Sequence, residues 1–168
     1  ILDGGSGNDQ FVIAQLDTNY DTITNWTAFG DKIDYNLTNL KVNGGALVDG
    51  SAATPTALTG SAPSTSDLEG THIWVVTGAS ASGSTSADAI TAIKTAAGGS
   101  FNSADSSDSL LFVVYDSTVS DENTNIWYVD MDGSVASNTS IDSAQFTQVV
   151  QLDAVDVTQN QINIGSWA

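Results

Sequence analysis

The sequence predicts a mainly β, sandwich-like domain with one short helix, and three observations carry that expectation. Short apolar runs recur along the chain, each bounded by Gly, Ser, Thr, Asn or Asp, the pattern of strands separated by turns. The acids are eighteen Asp and only two Glu (Glu69 and Glu122), and Asp favours turns where Glu favours helices. Apolar residues at helical spacing occur in one stretch alone, about 87–97. The chain has 168 residues, 40% of them hydrophobic, with four Trp, four Tyr and five Phe, so it carries core material that an acidic disordered tail lacks.

Taken in order, residues 1–16 form a glycine-rich turn leading into the apolar run Phe11-Val-Ile13. Two short strands are expected at about 21–26 and 32–36, around a turn at Gly30-Asp31. Residues 43–70 are rich in Gly, Ala, Ser, Thr and Pro and read as a long loop, with room for one strand at 46–48. Thr71–Thr77 is a strand by composition. The helix follows at 87–97: Ser86 is placed to cap it, Asp88 suits the first turn, Ile90, Ile93 and Ala97 share a face, Lys94 suits the last turn, and Gly98-Gly99 stops it. Leu110–Tyr115 is a continuous apolar run suited to a buried strand, with Ile126–Val129 as its hairpin partner. Residues 146–152 and 155–164 supply the last strands, for about eight in all.

Charge and composition exclude several functions. The formal net charge is −17, with three Lys and no Arg. Three scattered cations cannot neutralise a phosphate backbone, so nucleic acid is excluded as a partner, and anionic membrane surfaces are disfavoured for the same reason. No apolar run approaches the roughly 20 residues of a membrane-spanning helix. With no Cys, disulfides and thiol chemistry are impossible. Low pI, no Cys and abundant Ser, Thr and Asn fit an extracellular bacterial protein.

The most specific motif is Gly4-Gly5-Ser6-Gly7-Asn8-Asp9-Gln10-Phe11-Val12, which matches the nonapeptide G-G-x-G-x-D-x-U-x at every specified position. The glycines permit tight turns whose carbonyls can face a cation, Asp9 adds a carboxylate, and Phe11 points inward. Such oxygen donors suit a hard cation, at extracellular concentrations Ca2+. The expected ligands are Asp9 and the backbone of Gly5 and Gly7, with Asp3 as an outer candidate. The competing reading is a glycine turn that merely opens a β domain.

Ile1–Val12 resembles the last repeat of an RTX (repeats-in-toxin) array, and Asp21-Thr-Ile-Thr-Asn-Trp-Thr-Ala-Phe-Gly-Asp-Lys-Ile-Asp34 resembles the segment that leaves such arrays, with Trp26 where Phe is usual. Leu111–Asp116, Ile126–Gly133 and Val149–Val155 are similar to the C-terminal regions of bacterial RTX proteins. The resemblance covers the first 35 residues and residues 105–157; the middle matches nothing specific. It implies the last turn of a calcium β-roll (residues 1–16) followed by a β-rich capping and secretion domain (residues 17–168) of a secreted protein. It further implies an ABC transporter of type I secretion as the export partner, upstream repeats of the same chain as the neighbour, and Ca2+-driven folding outside the cell. Because the first residues already lie inside a motif, the chain is expected to be the C-terminal piece of a longer protein, with its export signal near Ala168.

Other candidates are weaker. Asp130-Met-Asp132-Gly133 resembles the start of an EF-hand loop, but its glycine comes at the fourth position and no Glu follows at the twelfth, so a hairpin with Asp132-Gly133 at its tip is the better reading. Asp105-Ser-Ser-Asp108 reads as a solvated turn. His72 is the only His and no G-x-S-x-G elbow accompanies it, so it reads as a strand residue beside Trp74 and the module as non-catalytic. Trp74 and Trp127 lie in apolar strands and read as core rather than as sugar platforms. Two alternatives stand beside the capping reading: a surface-assembly module of S-layer or adhesin type with self-association and glycan contact, and the tail of a secreted lipase or protease.

Overall fold

The computed structural model describes residues 1–13, 19–35, 40–42, 45–46, 55–59, 71–76, 83–99, 101, 108–115, 123–131, 141, 145–153 and 162–165. Its strands are β1 (Leu2–Asp3), β2 (Gln10–Ile13), β3 (Asp21–Thr24), β4 (Lys32–Tyr35), β5 (Lys41–Val42), β6 (Gly45–Ala46), β7 (Thr56–Leu58), β8 (Ile73–Val76), β9 (Ser109–Tyr115), β10 (Thr124–Asp130), β11 (Gln145–Leu152) and β12 (Ile164–Gly165). The helix α1 spans Ser86–Ala96. The chain is mainly β, as the sequence predicts.

Nine strands form a mixed sheet in the order β1-β3-β11-β10-β9-β5-β6, with β8 and then β7 also joined through β9. The long apolar strands build its centre. β9 and β10 pair antiparallel with Leu111 opposite Tyr128 and Val113 opposite Ile126, and β10 pairs antiparallel with β11. The apolar run of β9 is continuous because both faces of the sheet are covered. Leu110, Phe112 and Val114 face one core with Trp74, Trp127, Phe101 and the α1 residues Ala89, Ala92 and Ile93. Leu111 and Val113 face a second core with Phe11, Ile33, Tyr35 and Ile164 of the three-stranded sheet β12-β4-β2. Each fully buried Leu, Ile or Phe in these cores contributes roughly 1.5–3 kcal/mol. Phe101 bridges Trp74 and Phe112 through edge-on contacts at 5.7 and 5.3 Å.

The helix ends differ slightly from the expectation. Thr85, not Ser86, is the N-cap: its hydroxyl accepts the Asp88 N–H at 3.2 Å and donates to Asp88 Oδ2 at 2.6 Å. Gly98, at φ 78°, closes the helix as predicted, and the Gly99 N–H donates to the Lys94 carbonyl at 2.7 Å. Strands are expected at 46–48 and 155–164; among the described residues they are confined to Gly45–Ala46 and Ile164–Gly165. The proposed hairpin tip Asp132-Gly133 lies outside the described residues. Asp108 is buried, 1% exposed, rather than solvated, and its carbonyl accepts the Met131 N–H at 3.0 Å.

One feature positions the candidate site. β1 pairs parallel with β3 while β2 pairs parallel with β4, so residues 2–13 and 21–35 are successive coils stacked strand on strand. A third coil comes from the far end of the sequence: β11 pairs parallel with β3, and β12 parallel with β4. The register lines up Leu2, Ile23 and Leu152 in one sheet and Phe11, Ile33 and Ile164 in the other.

Candidate metal centre

The glycine-rich turn of residues 4–9 joins β1 to β2. Gly5 (φ 69°) and Gly7 (φ 134°) adopt left-handed backbone that L side chains rarely take. Gly4 is required for a different reason: a Cβ there would lie 2.9 Å from Phe11 Cζ and 3.2 Å from Asp9 Oδ2. Asp3 is exposed, and its Oδ1 accepts the Gly5 N–H at 3.0 Å and the Asn25 side-chain amide at 2.8 Å, so it braces the turn.

A second turn, residues 25–31, packs beneath the first. Its left-handed positions are Asn25 (φ 57°) and Phe29 (φ 66°) rather than glycines. Gly30 makes the close approach possible, since a Cβ there would lie 2.8 Å from Asn8 Oδ1. Asp9 and Asp31 immediately precede the paired residues Gln10 and Lys32, so they hold equivalent places in successive coils. Their carboxylates are used differently. Asp31 is 1% exposed; its Oδ1 accepts the Asp9 N–H at 2.9 Å and its Oδ2 the Thr27 N–H at 2.7 Å. Asp9 is half-buried, and its Oδ2 is buried with no hydrogen-bond partner.

An unpaired buried carboxylate oxygen costs about 1–3 kcal/mol or more. Oδ2 of Asp9 borders the position that a Gly4 Cβ would fill, and the Asn25 carbonyl oxygen borders the same position. Two oxygen acceptors around a glycine cradle, one of them anionic, fit a hard cation such as Ca2+. Among the described residues no three His, Cys, Asp or Glu side chains group to hold a metal, so an ion here depends on main-chain oxygens alongside Asp9. Nothing lies within 4 Å of a Cβ built on Gly5 or Gly7, which leaves that side of the turn open.

The structure brings Asp3, Gly5, Gly7 and Asp9 into this one turn. Asp130 belongs to another group, at the end of β10 opposite Ser109. There burial pushes the Tyr128 phenol up, a Ser109 hydrogen bond opposes this, and the Asp130 charge adds to the rise. Asp132 lies outside the described residues. The sequence places a turn at Gly30-Asp31, where the second turn lies, but not its equivalence to the first, although the spacing acid-x-apolar of Asp9-Gln10-Phe11 recurs in Asp31-Lys32-Ile33. Trp26, Trp74 and Trp127 are buried and not presented for stacking on sugars, and the His72 carbonyl accepts the Leu111 N–H at 2.9 Å as β8 begins. No helix among the described residues is long and apolar enough to cross a membrane. No protein-family model, curated protein or solved structure matches the chain.

Proposed function

We propose that this chain is the non-catalytic C-terminal module of a secreted RTX-like bacterial protein, in which Ca2+ at the Asp9 turn is linked to folding and the module ends a calcium β-roll and carries its type I export signal. The observation that carries the calcium reading is the unpartnered, buried Oδ2 of Asp9 within stacked parallel coils. The capping reading draws on the same register: the places held by Asp9 and Asp31 in coils one and two are held by apolar Ile162 in coil three, so the acidic series stops there. An ion that binds only the folded state stabilises it by mass action, and the self-repulsion of a chain of net charge −17 lowers the stability of its compact state wherever cations do not offset it. Export then delivers an unfolded chain to a calcium-rich exterior.

Calorimetric titration with Ca2+ and thermal melts in Ca2+, Mg2+ and chelator test this. The expected result is a binding heat and a Ca2+-specific rise in melting temperature, both lost in Asp9→Asn. Neither heat nor melting shift in the unaltered chain would overturn the reading.

A surface-assembly role is favoured by a different observation. Among the described residues β2 is an outer strand of its three-stranded sheet, and Val12 (62% exposed) stands out from it. Ca2+-dependent association in sedimentation velocity would support it, and a strict monomer at high protein and Ca2+ concentration would count against it.

A further inference from the structure

We infer that Asp31 is a positioning residue for the Asp9 turn, a built-in clasp that holds the turn in shape before any cation arrives. A buried carboxylate is costly in so acidic a chain unless its charge is met. Asp31 is 1% exposed and meets two main-chain N–H donors, Asp9 at 2.9 Å and Thr27 at 2.7 Å, in charge-assisted hydrogen bonds. One donor belongs to its own coil and the other to the coil above, so the carboxylate ties turn to turn.

The consequence falls on Asp9. Its N–H is held by Asp31 and its carbonyl accepts the Lys32 N–H at 2.9 Å, so its backbone is fixed on both sides. What freedom remains is that of a short side chain whose Oδ2 is already buried. Both oxygens of Asp31 are engaged by N–H groups, which face an anion and not a cation. The second turn is therefore closed by the protein's own donors, where the first presents an unsatisfied oxygen. Along the stacked places the series runs from an open carboxylate (Asp9) to a clasped one (Asp31) to an apolar side chain (Ile162).

The effect on ion affinity rests on the calcium reading of the Asp9 turn; the clasp itself does not. Amide exchange on the unaltered chain in chelator is expected to show the Asp9 and Thr27 amides already protected. Protection that appears only after Ca2+ is added would overturn the inference, and this measurement stands even if a variant does not fold. In calorimetric titration with Ca2+, Asp31→Asn is expected to bind the same number of ions as the unaltered chain, with affinity lower by about 10–100-fold, the range for residues that orient metal ligands. The rise in melting temperature with Ca2+ should shrink in parallel, which a purely structural residue would leave unchanged. Unaltered affinity in Asp31→Asn would overturn the inference, as would complete loss of the ion with the Asp9 and Thr27 amides still protected, since Asp31 would then be a ligand. If the unaltered chain takes no Ca2+, the calcium reading falls, and protection in chelator alone decides whether the clasp stands.

Discussion

Phe29 is the clearest case of local strain. Its φ of 66° lies in the left-handed region, which costs an L side chain roughly 1–2 kcal/mol. Its ring is 76% exposed, so little burial offsets that cost. Phe29→Gly should therefore stabilise the chain, by a net of about 0.5–1 kcal/mol once the greater freedom of glycine in the unfolded state is subtracted. Chemical denaturation measures this directly; a loss of stability would mean that the ring makes a contact needed in the fold. Tyr35 makes a second prediction. Its hydroxyl is buried without a partner, and burial first, then the neighbouring Tyr128, push its phenol above the ordinary value. Below pH about 10 both folded and unfolded chains keep the proton, so the stabilisation is fully present. Above that the unfolded chain releases the proton while the folded chain retains it, so stability falls as pH rises. Tyr35→Phe keeps the ring and removes the titration, and should move the alkaline unfolding midpoint to higher pH. An unmoved midpoint would show that Tyr35 does not drive alkaline unfolding.

Among the elements, β12 does much with two residues. Ile164 is fully buried opposite Ile33, and the Asn163 carbonyl accepts the Ile33 N–H at 2.9 Å. On the opposite sheet the Asp153 N–H donates to the Ile23 carbonyl at 2.9 Å, so coil three is bonded to coil two on both sides. Ile164→Asp would place an unpaired carboxylate in this core at a cost on the order of 3–5 kcal/mol. The amide of Ile33 should lose exchange protection first, with the helix interior around Ile93 still protected. Equal loss at both places would show that the coils and the helical layer unfold as one unit.

For the whole molecule, what could be read from the sequence divides by the range of the interactions. The helix, the glycine turn and the central hairpin strands rest on local signals: a helical face that includes Ile93 (its buried companions are Ala89, Ala92 and Ala96, while Ile90, expected beside it, is only half-buried), the left-handed needs of Gly5 and Gly7, and the unbroken run Leu110–Val114. The turn at Gly30-Asp31 was legible, but its likeness to the first was hidden because Asn25 and Phe29 occupy its left-handed positions, where a motif search looks for glycine. The burial of Asp31 was hidden because main-chain geometry, not composition, decides which of eighteen aspartates meets N–H donors. Coil three was hidden because β12 is short and its pairing partner lies far back in the sequence.

That last pairing also bears on how fast the fold can form. Ile33 meets Ile164, and Ile23 meets Leu152, so more than half of the chain separates partners that lie side by side. Closing so large a loop is an entropic cost that must be met before the contacts return anything, and folds dominated by such distant pairings form in milliseconds to seconds rather than microseconds. The first two coils pair through nearby residues, Leu2 with Ile23 and Phe11 with Ile33, but coil two stays uncovered on its other side until coil three arrives. In a chain emerging from a ribosome N-terminus first, the Asp9 turn can stack on the second turn long before residues 145–165 are available to cover the other side of coil two.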